Sequence, residues 1–515
     1  MKTKRILTAL LIFATLLLTF TSLSGCSGGN DATEVYHSID ELNGKRVGVL
    51  TGSIFDKLVH ERLPDATVSY MNAIADASVA LNADKIDFYV ADEQLARCLC
   101  AQNPNQTILG TLAEDPSAFI FKKDDEKGAL LCRQMNEYIA RTREDGSLDA
   151  LIDLWIGPDS EKQTVDYDGL SAENGVLTYA ISTNIGQPYV FVKDGKYVGY
   201  EVAVVAAFCR EYGYGLKFFD TDFSGLISAV AVGKADIGSS GISVTEERKE
   251  SVLFSDTVYY GGVTVVVRNG LPAGDDTGFF ASIGESFEKT FIRESRWKLF
   301  LSGIGTTMLI TLLSAVLGSV IGFLLFLVYR KKYKIFVSVF DIISHFLEKL
   351  PVVVIVMILF YVVFGSSNVS GTVVSVIGFT ILFSFTVLHL MKTSVDAVDF
   401  GQTEAALALG YTDNRAFLRV VFPQAIKHFM PGYKSALVTL IKDTAIVGYI
   451  AVMDLTQVSD LVRSRTFEPF FPLIATALIY FLLAYVLIVI VKQAEINFDP
   501  RRRKAEKILK GVHTK

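Results

Sequence analysis

From Gly401 to Ala425 the chain reads GQTEAALALGYTDNRAFLRVVFPQA. Gln402 to Leu409 is a run of strong helix formers. Gly410 ends it, as glycine does just past the last helical turn. Thr412 or Asp413 can cap a second helix carrying Phe417, Leu418, Val420 and Val421 on one side, and Pro423 is expected to stop it. The stretch therefore spells two short helices with a bend between them. Their apolar side chains need a surface to cover them, and long oily runs flank the whole segment.

The chain has 515 residues, of which 50% are hydrophobic, and the mean hydropathy is +0.38. Both point to a membrane protein. Charged residues still make up 20%, too many for a chain wholly in the membrane, so a soluble part and a membrane part are expected. A net charge of -6 without a large basic domain excludes a nucleic-acid binder. The cysteines Cys26, Cys98, Cys100, Cys132 and Cys209 make no zinc pattern. They read as buried thiols, with a disulfide among the last four open to an extracellular domain. The residues offer no metal site, no Ser/His/Asp constellation and no cofactor motif.

After Trp297 the apolar runs reach the roughly 20 residues needed to cross a bilayer. Five spans are expected near Leu299–Val328, Ile335–Phe364, Val373–Met391, Ser435–Met453 and Phe471–Val491. The second carries His345, Glu348 and Lys349 in its first half, and Lys442 and Asp443 weaken the fourth. Arg330, Lys331, Lys332 and Lys334 follow the first span, and Arg501, Arg502, Arg503 and Lys504 follow the last. Such basic clusters face the cytoplasm. The soluble part then lies outside, and Gly401–Ala425 and the C-terminus lie inside. The N-terminus agrees: Lys2, Lys4 and Arg5 precede an apolar run from Ile6 to Phe20, the pattern of a secretory signal. Leu23-Ser24-Gly25-Cys26 resembles the lipobox of bacterial lipoproteins, which implies lipidation of Cys26.

Glu404-Ala405-Ala406, Gly410, Phe417, Val420 and Pro423-Gln424-Ala425 together resemble the EAA loop of ABC-importer permeases. Ser302-Gly303-Ile304-Gly305-Thr306-Thr307 and Lys442-Asp443-Thr444 are similar to further signatures of polar-amino-acid permeases. The resemblance implies that Glu404, Ala405, Ala406 and Gly410 couple the chain to a cytoplasmic ATPase subunit. No P-loop pattern occurs, so ATP hydrolysis is expected on that separate subunit and the chain is not expected to be an enzyme. Permeases of this family work in pairs, which implies a homodimer or a pairing with a second permease subunit. Phe422, Ala445 and Glu348-Lys349-Leu350-Pro351 depart from the family pattern.

From about Glu34 to Arg268 short β-rich runs alternate with amphipathic helix patterns, as in an α/β domain. Several pieces resemble the two-lobed Venus-flytrap domain that binds amino acids. Pro188-Tyr189, Gly199-Tyr200-Glu201, Gly225-Leu226-Ile227, Gly233-Lys234-Ala235-Asp236, Ser243-x-Thr245-x-x-Arg248 and Phe254-Ser255 match its first-lobe series. Arg46-Val47-Gly48-Val49, Thr51-Gly52-Ser53, Asp92-Glu93 and Trp155-Ile156-Gly157 match its second-lobe series. The second-lobe series comes first here. Either deletions left two incomplete domains, or one complete domain is circularly permuted; the complementary halves favour permutation.

The resemblance places an amino-acid ligand against Arg248, Ser243, Gly241, Ser53 and Asp92. A carboxylate wants the Arg248 guanidinium fork and nearby N–H or O–H donors; an ammonium wants a carboxylate such as Asp92. The expected organisation is a signal at 1–26, a binding domain at 34–268 (second-lobe series 34–157, first-lobe series 175–268), a linker at 269–296, an all-α permease bundle at 297–495 and a basic tail at 496–515. A membrane-bound amino-acid receptor that signals without transport is the alternative.

Overall fold

The computed structural model describes residues 35–156, 163–270, 279–331, 333–365, 367, 369–466 and 470–498. The signal and Cys26, residues 157–162 and 271–278 of the soluble linkers, and the basic tail from residue 499 lie outside the described residues.

The binding domain opens on β1 (Arg46–Leu50), a five-residue strand with all but Arg46 buried. A continuous apolar run of this kind suits a strand covered on both faces. It pairs in parallel with β2 (Thr67–Met71) and β3 (Phe88–Asp92). Helices α1 (Phe55–Arg62), α2 (Ile74–Asn82) and α3 (Glu93–Gln102) alternate with these strands. The long β4 (Gln106–Ser117) then leads out of this lobe into β5 (Ile120–Lys122), α4 (Glu126–Glu144) and α5 (Ser147–Ile156). The second half supplies β6 (Val176–Ile181), the hairpin β7 (Phe191–Lys193) and β8 (Lys196–Val198), α6 (Tyr200–Glu211) and β9 (Gly215–Asp220). It ends with α7 (Leu226–Ala231), β10 (Ile237–Gly238), α8 (Glu246–Lys249), β11 (Val252–Phe254) and β12 (Tyr259–Arg268).

The pairing decides between one domain and two. One sheet has the order β2-β1-β3-β12-β4 and the other β11-β5-β10-β6-β9. Strand β12, from the second half of the sequence, lies antiparallel between β3 and β4 of the first half. Strand β5, from the first half, lies antiparallel between β10 and β11 of the second. Without this exchange each sheet would be split and the backbone groups flanking the gap left unpaired. The halves therefore form one two-lobed domain, with β4 and β12 as the two crossings between lobes. Val47, Val49, Phe88, Val90, Val263 and Val265 fill the core of the β1 lobe; Phe121, Trp155, Tyr179 and Phe208 fill the other. Cys98, Cys100, Cys132 and Cys209 are thiols.

After α9 (Phe279–Phe287) the membrane part begins with α10 (Trp297–Tyr329). At 1.5 Å per residue it is about 50 Å long, ample for a hydrocarbon core of about 30 Å. Gly371–Asp396 (α13) and the run Phe471–Gln493 are also long and apolar enough to span, and two bent helix pairs raise the total to as many as five. One bent pair corrects the expected straight span Ile335–Phe364. Helix α11 (Lys334–Lys349) meets α12 (Val352–Met357), continued by a π turn to Val363, at 107°. Pro351 causes the break: its ring drives Leu350 into extended backbone with ψ 139°, and helices end before such a residue. His345, Glu348 and Lys349 thus belong to the α11 arm.

Two corrections concern the second half of the opening stretch. Helix α14 (Phe400–Ala408) is followed by α15 (Asp413–Ala416), a π turn at Phe417–Val421 and α16 (Phe422–Asp443). Pro423 does not stop the helix; it stands in the first turn of α16. The wider π turn before it accommodates a residue with no N–H to donate. The fourth span is accordingly not Ser435–Met453. The apolar unit is the bent pair of Asp413–Ile450 and α17 (Leu455–Thr466), which meet at 56° where Ala451 adopts φ 58°. The last helix, α18, covers Phe470–Phe498.

The binding domain packs on the N-terminal end of α10. Val192 joins Phe300, Leu455, Val458 and Val462 in one apolar cluster. Lys234 donates to the carbonyls of Phe364 at 2.6 Å and Ser367 at 2.8 Å, and its ammonium lies 4.5 Å from the Phe360 ring centre. Arg463 of α17 forms an ion pair with Asp76 of α2.

Candidate functional site: the cleft and the elbow

Two places carry the expected function, one between the lobes and one at the far end of α10. In the cleft, Thr245 caps α8 by accepting the Arg248 N–H at 3.2 Å. That cap turns the Arg248 side chain inward, where it is 9% exposed. The guanidinium donates to the Ser243 carbonyl in its own lobe and to the Gly52 carbonyl in the opposite lobe, both at 2.9 Å. Arg248 therefore spans the cleft. A guanidinium carries five N–H donors, so two carbonyls leave three for a ligand carboxylate. Gly52 makes the approach possible. Its φ is +82°, and a Cβ placed there would stand 3.0 Å from Ser224 of the other lobe; only glycine meets both demands.

Ser243 Oγ donates to Asp115 Oδ2 at 2.9 Å, and Asp115 neighbours Asp92. Desolvation lifts the Asp92 carboxyl well above the usual range, and the Asp115 carboxyl adds to the lift. Asp115 is itself raised by burial, against the pull of the Ser243 hydroxyl and the Arg248 guanidinium. Arg248, Ser243, Asp115 and Asp92 thus form one chain of charge across the lobes. Like the Ser243 hydroxyl, the donors expected of Ser53 and Gly241 are used within the protein. The Ser53 N–H donates to the Leu50 carbonyl at 3.2 Å, as its hydroxyl does at 2.7 Å, and the Gly241 N–H donates to Glu201 Oε1 at 3.0 Å. Ser53 and Gly241 shape the cleft walls, and neither presents the donor that was assigned to it.

Asp115 was not anticipated, because it sits in a crossing strand with no motif around it. Beside Asp92 three tyrosines pack with tilted rings: Tyr189 and Tyr200 lie 5.3 Å apart, and Tyr200 and Tyr259 6.0 Å apart. Pro188-Tyr189 and Tyr200 were visible as motif residues, but only the fold brings Tyr259 to them.

At the other end of α10 the two short helices form an elbow. Gly410, at φ +84°, donates to the Leu407 carbonyl, and Tyr411 N–H reaches the Ala406 carbonyl at 3.1 Å. This is the Schellman closure that glycine favours. Glu404, Ala405 and Gly410 are exposed. Ala406 is 3% exposed; it packs inside the elbow, and its neighbours make the outer surface. Phe400, Leu407, Leu409 and Leu418 are exposed by 71%, 46%, 79% and 55%, which leaves an apolar face uncovered. Arg330, just past α10, forms an ion pair with Asp413, donates to Asn414 Oδ1 at 3.2 Å and lies 4.3 Å from the Phe417 ring centre. The elbow is thus fastened to the end of α10 farthest from the binding domain.

The family profile of the bacterial extracellular solute-binding proteins, family 3, matches residues 177–444. The chain belongs to that family. The match starts in β6 and runs past β12 into the membrane helices, while β1 to β4 lie ahead of it, in keeping with the permuted lobe order. The membrane part is similar to permeases. Identity is 28% over 200 residues to the arginine transport system permease protein ArtQ of Bacillus subtilis, covering 38% of this chain and 90% of that protein. It is 25% over 234 residues to the L-cystine transport system permease protein TcyB of the same organism, covering 45% and 97%. It is 27% over 200 residues to the putative glutamine transport system permease protein GlnP of Rickettsia felis, covering 38% and 90%. A crystal structure of an amino acid ABC transporter aligns at 26% identity and TM-score 0.37, covering 43% of this chain and 99% of that one. This family 3 protein therefore joins the binding and permease components of a polar amino-acid ABC transporter in one membrane chain, with its binding domain extracellular.

Two buried carboxyls make the family 3 domain sensitive to pH. Burial pushes Glu201 up to about 7, against hydrogen bonds from Gly241 N–H and the Ser239 hydroxyl. Burial likewise pushes Asp220 to about 7, against two hydrogen bonds from Thr183. Both folded values lie above the unfolded ones, so their stabilising contribution is complete below pH about 4 and is lost as pH rises to about 7. The thermal midpoint of the full chain in detergent is expected to fall across that window. Glu201→Gln, which keeps an acceptor for Gly241, should flatten the fall; an unchanged slope would count against this assignment.

Proposed function

We propose that the chain is the substrate-binding and membrane-spanning subunit of an ATP-driven importer for a polar amino acid. It works as a homodimer on a separate cytoplasmic ATPase, with its C-terminus in the cytoplasm. The observation that carries this reading is the elbow. A bent helix pair with an uncovered apolar face is fastened to the far end of α10, on the same chain as a two-lobed binding domain. A receptor that only signals has no need of such a surface. The cleft supports the substrate class: a guanidinium for a carboxylate, two carboxylates for an ammonium, and tyrosines for the remainder. The relatives named for arginine, cystine and glutamine transport supply the first ligands to try. Calorimetric titration of the detergent-solubilised chain with these three amino acids is expected to give saturable binding of at least one. Absence of heat with all three would remove the substrate class.

A further inference from the structure

Where the lobes rest on the permease, they enclose a cavity of about 220 Å³. Arg248 is not among the residues that line it. Asp76 comes from one lobe, Asn184 and Asp222 from the other, and Gln457, Asp460 and Arg463 from α17. Their charges do not cancel. Arg463 is shared between Asp76 and Asp460. Asp222 accepts a hydrogen bond from Asn184 Nδ2 at 2.9 Å and makes no ion pair among the described residues.

Three buried polar atoms also lack partners. Asn184 is 3% exposed and its Oδ1 accepts from no described residue. Gln457 is 4% exposed and its Nε2 donates to none. Arg463 Nε is in the same condition. An unsatisfied buried donor or acceptor costs about 1–3 kcal/mol, so a wall with three of them fits a polar occupant. The chemistry that would satisfy them is specific. Asp222 and Asn184 Oδ1 call for a cation with N–H donors; Gln457 Nε2 and Arg463 Nε call for an anion with acceptors. A zwitterion offers both. The volume is several times the roughly 30 Å³ that a water occupies in the liquid. Burial raises the Asp222 carboxyl, a penalty that a neighbouring cation would relieve.

We infer that this chamber is a second substrate site, which receives the zwitterionic head group of an amino acid between the cleft and the membrane path. The ammonium faces Asp222 and Asn184 Oδ1; the carboxylate faces Gln457 Nε2 and Arg463 Nε. The inference rests on the importer reading above, and the two can fail separately. The chain is reconstituted in liposomes with its ATPase, and uptake of radiolabelled arginine, glutamine and cystine is measured at saturating concentration. Gln457→Glu keeps the size of the side chain and sets a negative charge against the carboxylate. Asp222→Asn keeps the shape and removes the charge, and it carries the test if the first variant aggregates. Each is expected to lower the maximal uptake rate tenfold or more while calorimetric affinity for the cleft stays within twofold. Wild-type uptake rates in both variants would overturn the chamber. So would a tenfold loss of cleft affinity in a monodisperse variant, because the residue would then be serving the first site. If the unaltered chain binds none of the three amino acids, the importer reading itself has failed.

Discussion

Leu409→Asp is expected to abolish amino-acid-stimulated ATP hydrolysis by the reconstituted complex while leaving amino-acid binding by the chain unchanged. Leu409 is 79% exposed beside the bend at Gly410, and with Phe400, Leu407 and Leu418 it forms the uncovered face. Burying a leucine contributes about 1.5–3 kcal/mol. Placing a lone carboxylate in the same contact costs about 3–5 kcal/mol. Together these exceed the roughly 4 kcal/mol that lowers occupancy a thousandfold. Glu404→Lys should act in the same direction, since Glu404 is exposed on α14 of the same elbow. The measurement is phosphate release with and without amino acid. Stimulation retained in both variants would remove the docking role of the elbow. Leu409 should not affect the fold, because it is bound to the rest of the elbow mainly through its backbone.

Arg248→Ala is expected to weaken amino-acid binding a hundredfold or more. The substitution removes the guanidinium that faces the ligand carboxylate and the bridge to the Gly52 carbonyl, and it takes the Arg248 charge away from Asp115. Losing one member of a buried charged set costs about 3–5 kcal/mol, and 1.4 kcal/mol is tenfold in affinity. Arg248→Lys should recover little, because a lysine cannot reach two carbonyls and a carboxylate with one planar fork. Calorimetry on the full chain checks both. Affinity within threefold of the original would place the carboxylate elsewhere.

Local grammar made much of this legible. Gly410 announces its bend because a positive φ has few other occupants, and Ser243-x-Thr245-x-x-Arg248 announces a capped turn that aims an arginine inward. Prolines were harder. Pro351 and Pro423 carry the same letter, yet one breaks a helix by 107° and the other begins one. The difference is the π turn before Pro423, a backbone adjustment set by packing that no side-chain pattern encodes. Contacts between distant segments were hidden for a further reason. Asp115 reaches Ser243 across 128 positions, and Asp76 reaches Arg463 across 387. Such pairs follow from strand exchange and from the docking of one part on another, and each partner alone is an ordinary surface-type residue. The donors of Gly241, Ser53 and Ser243 are taken by Glu201, Leu50 and Asp115, contacts that no local motif spells out.

One small apolar cluster around Val192 and a few polar contacts from Lys234 and Arg463 hold the binding domain on the permease. Two separate proteins joined so sparingly would spend little time together at ordinary concentrations. Here they share one chain, and a short tether sets the local concentration of one for the other near the millimolar range. A grip with an intrinsic dissociation constant of that order is then enough to keep the lobes seated about half the time, and to release them in the other half. Joined in this way, the permease meets its own binding domain at a local concentration that does not depend on how many copies of a separate binding protein surround it.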